Sequence, residues 1–349
     1  MLRYARADAN GPWGVRVSRT PCQAPGLGLV SEEHLGDLED LAASADGRFQ
    51  VGTDGVRRIL RPRDRKVELI VFADKTLVAV RSAIGPDALY PLDEARFDPP
   101  AEAVLMDLDG TSVHSEHFWM WIIERSIAAL VEDPGFTLAP EDRPFVSGHS
   151  VSEHLRFCID KYCPGASLDA ARRHYFEITA REMREIAEGR GHIEAFEPAP
   201  GLKDFLLELK ERGIRIGLVT SGLHEKAWPE ILAAFRRMDL GDPREFYDAI
   251  ITAGERLGPG RTGTLGELAP KPHPWLYAET AYVGLGISRE RRHRVVGLED
   301  SGAGVVSIRL AGFAAVGVAG GNIDHSGTRP LLHAFAADLG EALGFVLGR

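Results

Sequence analysis

From Val104 onward, apolar runs of strand length alternate with segments whose apolar residues recur at helical spacing. The runs are "AVLMDLD", "IRIGLVTS", "YDAIITAG", "RVVGLED" and "AAVGVAG"; between them lie "GLKDFLLELKERG", "KAWPEILAAFRRM", "HPWLYAETAYVGLG" and "GAGVVSIRLAG". Strands that are apolar throughout are buried on both faces, so this alternation predicts an α/β fold with a doubly wound, Rossmann-like parallel sheet. Ligands of such sheets bind beyond the carboxyl ends of the strands. Asp107 and Asp109, Thr220 and Ser221, and Glu299 and Asp300 all stand at those ends.

Two further regions break the alternation. Residues 114–199 carry helical periodicity in "SEHFWMWIIERSIAALVED", "SVSEHLRFCIDKY" and "LDAARRHYFEITAREMREIAEG". A βαβ crossover needs far fewer residues, so this stretch reads as an inserted helical cap, placed to act as a lid. Residues 1–98 read as a small α+β domain of unknown role: a helix over "SEEHLGDLEDLAASA", then strands in "RFQVGTDGVRRIL" and "KVELIVFADKTLVAVRS". The last run breaks at Ala73-Asp74-Lys75, a hairpin signal. "DEARFDPPAEA" is the linker, which leaves residues 99–113 and 200–349 as the catalytic core.

Charge and cysteine content narrow the setting. A net charge of −10 disfavours nucleic acid and anionic membranes as partners. "MLRYARADANGPWG" lacks the apolar segment of a signal peptide, and no run approaches the ~20 residues of a membrane span. Cys22, Cys158 and Cys163 cannot make a disulfide framework, so a reducing cytoplasm is expected. His154 and Cys158 share a helix face but lack companions for a metal site, so the cysteines read as structural. Arg57, Arg58, Arg61, Arg63, Arg65 and Lys66 form a basic cluster without interleaved aromatics, which reads as a solvated strand edge. "GPGRTG" fits a GxGxxG count, but Pro259 removes an N–H from the cradle and no helix follows at once; it reads as a loop.

The chemistry concentrates in "VLMDLDGTSVHSE". Residues i and i+2 of an extended chain point the same way, so Asp107 and Asp109 would present two carboxylates to one spot. Two such charges ~4 Å apart at an effective dielectric of about 20 repel by roughly 4 kcal/mol. Binding a cation or keeping one carboxyl protonated resolves the conflict, and phosphate chemistry can use both. Oxygen ligands with room for water suit Mg²⁺. Asp107 is then a candidate nucleophile toward phosphorus, Asp109, its pKa expected to be raised by the neighbouring negative charges, a candidate acid and base, and Ser221 and Lys271 candidate holders of phosphoryl oxygens.

"DLDGT", "LVTSG", "KPHP" and "GLEDSGAG", in that order, closely resemble the motifs of the haloacid dehalogenase-like superfamily, over about residues 101–320. The likeness is nearest to its helical-cap branch of small-metabolite phosphatases and β-phosphoglucomutase-like enzymes. It implies Asp107 as nucleophile, Asp109 as acid and base, and Thr111, Ser221, Gly222 and Lys271 as the phosphate-binding set. It further implies Mg²⁺ held by Asp107, Asp109 through its backbone carbonyl, Glu299 and Asp300. "FVSGHSVSEHL" resembles the substrate-facing loop, and His114, His117 and His149 are candidate substrate contacts. The mutases of this branch carry histidine twelve positions after the nucleophile, where this chain has Trp119. The dehalogenases lack the second aspartate, and phosphonate-cleaving members have alanine there. The expectation is therefore a Mg²⁺-dependent phosphatase of a small phosphorylated metabolite, with a phosphosugar mutase or a catalytically silent phosphate-binding regulator as alternatives.

Overall fold

The computed structural model describes residues 21–31, 36–81, 87–142, 151–254 and 269–349. A hairpin of β1 (Cys22–Ala24) and β2 (Gly28–Val30) is followed by five strands: β3 (Leu38–Leu41), β4 (Arg58–Pro62), β5 (Val67–Val71), β6 (Thr76–Val80) and β7 (Ala88–Pro91). These five pair in sequence order as an antiparallel sheet, and β5 and β6 turn back on each other through Phe72–Lys75, where the hairpin is expected.

The helix expected across residues 31–45 is not what residues 38–41 form. They make the edge strand β3, with Leu38 and Asp40 buried and their neighbours half-buried. Cross-strand pairing decides it: Asp40 takes Arg58, and Glu39 takes Arg61 at 2.6 Å and Arg65 at 3.1 Å. A helix-like leucine spacing is thus overridden by neighbours in the sheet. The same pairs account for much of the basic cluster, and Arg63 pairs with Asp37.

The second sheet is parallel, with six strands in the order β12-β11-β8-β13-β14-β15. Its strands are β8 (Ala103–Asp107), β11 (Arg215–Val219), β12 (Ala249–Ile251), β13 (Val295–Glu299), β14 (Ala314–Val318) and β15 (Ala334–Ala336). All five expected runs are strands; β15, three residues long, is an addition the sequence pattern did not reveal. Every residue of β8, β13 and β14 is buried, as the apolar runs require. Helices α4 (Leu202–Glu211), α5 (His224–Met238), α6 (Trp275–Glu279), α7 (Gly302–Leu310) and α8 (Leu339–Leu347) belong to this layer. Before them, between β8 and β11, come α1 (Glu116–Val131), α2 (Val151–Tyr162) and α3 (Leu168–Ala187). The two-residue strands β9 (Val113–His114) and β10 (Glu197–Pro198) pair antiparallel where the chain leaves for these helices and returns.

One apolar cluster runs from the antiparallel sheet into the parallel one: Leu60, Leu69 and Val78 share it with Leu105, Ile308 and Phe313. Burying such a side chain contributes about 1.5–3 kcal/mol, so the N-terminal sheet is part of the packed body. Cys22, Cys158 and Cys163 are free, and burial pushes the Cys158 thiol up to about 12. The "GPGRTG" loop lies outside the described residues. Among the described residues no helix is long and apolar enough to cross a membrane.

Candidate active site

Register brings the site together. Asp107 ends β8 opposite Val219 of β11, and Met106 lies opposite Leu298 of β13. Thr220 and Ser221 on one side and Glu299 and Asp300 on the other therefore flank Asp107. The chain after Asp107 turns sharply: Ser112 and Val113 both donate N–H bonds back to the Leu108 carbonyl, and the Gly110 N–H donates to the Val113 carbonyl. Gly110 has φ +88, and a Cβ there would lie 2.1 Å from Asp300 Oδ2. Glycine is needed for both the turn and the approach.

Asp107, Glu299 and Asp300 are all buried and offer oxygens within 4.8 Å of one another. Lys271 reaches into this group. Its Nζ bonds Asp107 Oδ1 and lies 2.5 Å from Glu299 Oε1, and its backbone N–H donates to Ser221 Oγ at 3.2 Å. Burial and the Glu299 charge push the Asp107 carboxyl well above the usual carboxylate range, with Lys271 pulling the other way. Asp300 is pushed up for the same reasons. A buried group of three acids facing one ammonium is short of positive charge, and its all-oxygen donor set fits a hard divalent cation such as Mg²⁺.

The members of this group differ in what they have left to give. Glu299 Oε1 also accepts from the Tyr277 hydroxyl at 2.9 Å, and Oε2 accepts from the Ser301 N–H at 3.0 Å and hydroxyl at 2.8 Å. Gly304 makes room for it, since a Cβ there would sit 1.8 Å from the carboxyl carbon. Among the described residues, the Asp300 carboxyl accepts a long Thr111 hydroxyl bond of 3.4 Å and no other side-chain hydrogen bond.

Asp109 stands apart from the three-acid group. Its Oδ1 accepts from Ser115 at 3.2 Å and Lys226 at 3.0 Å, and its Oδ2 from Thr220 at 3.2 Å. The raised pKa expected for Asp109 is not found: burial raises it, but Lys226 more than offsets this and leaves the carboxyl below its ordinary value. Lys226 also sits 3.7 Å from buried Glu230 and 4.1 Å over the Trp119 ring. Sequence reasoning missed Lys226, Glu230 and Tyr277. The signal for the first two was an i,i+4 pair on the helix after "LVTSG", which reads as an ordinary surface pair until the fold turns it inward.

The other expected residues are distributed more loosely. Ser221 is exposed beside Lys271, and the Gly222 N–H donates to Thr220 Oγ1 at 2.9 Å. Thr111 is buried against Asp300. His114 and His117 are exposed at the start of the helical insertion, and His149 lies outside the described residues.

Residues 101–312 match the haloacid dehalogenase-like hydrolase family, and the chain belongs to that family. The expectation of a haloacid dehalogenase-like phosphoric monoester hydrolase is met at that level. Among particular relatives, the protein CbbY of Cereibacter sphaeroides is 29% identical over 250 residues, covering 70% of this chain and 97% of CbbY. The crystal structure of CbbY from Rhodobacter sphaeroides in complex with phosphate superposes with a TM-score of 0.51 at 22% identity, over 71% of this chain and 100% of that one. A predicted phosphoglycolate phosphatase from Haemophilus somnus gives 0.53 at 17% identity, over 71% and 98%. These two structural likenesses establish the fold.

Proposed function

We propose that this chain is a Mg²⁺-dependent phosphatase that releases phosphate from a small phosphorylated metabolite through an aspartyl-phosphate on Asp107. The observation that carries the reading is the convergence of Asp107, Lys271, Ser221 and Asp300, with Asp109 at its edge. CbbY has been crystallised with phosphate and with xylulose-(1,5)bisphosphate, both small phosphorylated ligands, which supports the same substrate class here.

In this reading an Asp107 oxygen forms a bond to phosphorus while the ester P–O bond breaks. Asp109, once protonated against the pull of Lys226, gives that proton to the departing oxygen, then takes one from the water that attacks phosphorus and frees Asp107. Lys226 steadies the anion that Asp109 becomes in between. Lys271 holds Asp107 in place and, with Ser221, meets the charge that spreads over the phosphoryl oxygens. Asp107, Asp300 and the Asp109 backbone carbonyl would hold Mg²⁺, which when bound offsets the charge of the acids and of the incoming phosphate. Glu299, saturated by protein donors, acts by holding Lys271. The helices of residues 114–199 serve as a cap that covers the leaving group.

The mutase alternative ranks lower because Trp119, with its ring beneath Lys226, stands where the mutase branch carries a titratable histidine. Phosphate release by full-length protein across a panel of sugar and organic-acid phosphates, with Mg²⁺ or with chelator, tests the proposal. Turnover that chelator abolishes and Mg²⁺ restores is expected. Absence of turnover on every phosphoester by folded, Mg²⁺-supplied protein overturns the reading in favour of a silent phosphate-binding protein.

A further inference from the structure

The N-terminal sheet touches the loop that delivers Lys271. Tyr90 lies on the edge strand β7, held by pairing opposite Val78 of β6. Its hydroxyl is 2.9 Å from His273 Nδ1, and its ring meets the rings of His273 and Trp275 edge-on at 5.8 and 6.1 Å. His273 is two residues beyond Lys271, in the same "KPHP" turn. The far side of that turn is fixed as well: the His273 N–H donates to the Pro270 carbonyl at 3.1 Å, and the His273 carbonyl accepts from Ser307 Oγ of α7 at 2.6 Å. The matched family region begins at residue 101, so this contact comes from outside it.

We propose that Tyr90 is a positioning residue for Lys271, and that the β3–β7 sheet thereby serves the hydrolase site as a buttress for its lysine loop. A lysine bridging two buried carboxylates must be placed closely, because a displacement of ~1 Å at such a site costs up to about a hundredfold in rate. The lysine loop has no regular secondary structure between Ala269 and His273. Its position therefore rests on side-chain anchors, and Tyr90 supplies the one from the N-terminal sheet. Burial lowers the His273 pKa and raises that of Tyr90. Both groups stay neutral near pH 7, which suits a phenol O–H donating to an imidazole nitrogen. The inference rests on the phosphatase reading for its kinetic effect, though not for the contact itself.

The test compares full-length wild type, Tyr90→Phe, His273→Phe and the double variant. Amide hydrogen exchange of the peptide containing Lys271 is measured beside Mg²⁺-dependent hydrolysis of p-nitrophenyl phosphate. Tyr90→Phe keeps the ring and its packing, so the melting temperature stays within about 2 °C. The Lys271 amide should exchange faster, and kcat should fall about fivefold, the kinetic equivalent of one ordinary hydrogen bond, with KM little changed. The double variant should be no worse than either single one, because both remove the same bond. Unchanged exchange in Tyr90→Phe overturns the proposal, as does faster exchange with unchanged kcat. Additive losses in the double variant overturn it too. A wild type that hydrolyses no phosphoester defeats the phosphatase reading; the exchange comparison then decides the clamp alone, faster exchange supporting it and unchanged exchange removing it.

Discussion

Lys271 Nζ lies 2.5 Å from Glu299 Oε1 while bonding Asp107 with the same ammonium, so one cation is shared between a candidate nucleophile and a carboxylate with no exposed surface. Glu299 is thereby committed to the lysine, whereas Asp300 is not. Glu299→Gln should lower kcat by about 10–100-fold, as loss of a supporting shell does, and leave the Mg²⁺ concentration for half-maximal activity within about threefold of wild type. Asp300→Asn should raise that concentration by at least about a hundredfold. Mg²⁺ titrations of activity on the two variants check this, and equal shifts would make Glu299 a direct ligand.

Buried acids that outnumber their cations tie stability to pH. Asp107 and Asp300 have folded pKa values raised above their unfolded ones. Their contribution is therefore fully present below the ordinary carboxylate range and is lost as pH rises through the raised values. Added Mg²⁺ should restore it, and more at pH 8 than at pH 5, where protons already relieve the repulsion. Saturation at a hundred times Kd is worth about 2.7 kcal/mol. Melting curves with and without Mg²⁺ at the two pH values measure the difference; an equal gain at both would show the acids do not take up the ion together.

Lys226 holds the Asp109 carboxyl below its ordinary range. Lys226→Met removes the 3.0 Å bond, so the Asp109 pKa should rise and the basic limb of the kcat/KM profile, set by the proton Asp109 must donate, should move to higher pH. A profile that keeps its basic limb would separate Asp109 from the titration that limits the rate.

Gly304→Ala would force a methyl into the Glu299 carboxyl. Overpacking of this kind costs about 1–3 kcal/mol, and it should also depress kcat because Glu299 carries Lys271. A variant with a lower melting temperature but full activity would contradict the role given to Glu299.

The parallel sheet and the placing of candidate groups at its carboxyl edge were legible for one reason: apolar runs end in polar residues, so Asp107, Ser221 and Asp300 stand out from pattern alone. What stayed hidden depends on contacts distant in sequence. Glu299 reads like Asp300 until Tyr277 and Ser301 are seen to occupy its oxygens. Lys226 reads as a helix-surface charge until α5 packs it over the Trp119 ring. Residues 38–41 carry a helical leucine spacing that only β4 overrules. Tyr90 is one tyrosine on a short edge strand, and nothing in its neighbours announces His273.

The central claim is a covalent phosphoryl group on one aspartate. Full-length protein mixed with a turned-over phosphoester and Mg²⁺, quenched in acid within milliseconds and digested, should yield a phosphorylated peptide whose modified residue is Asp107. The adduct should be absent in Asp107→Asn and should persist longer in Asp109→Asn. Steady turnover with no adduct at any quench time, or an adduct on another residue, would contradict the account.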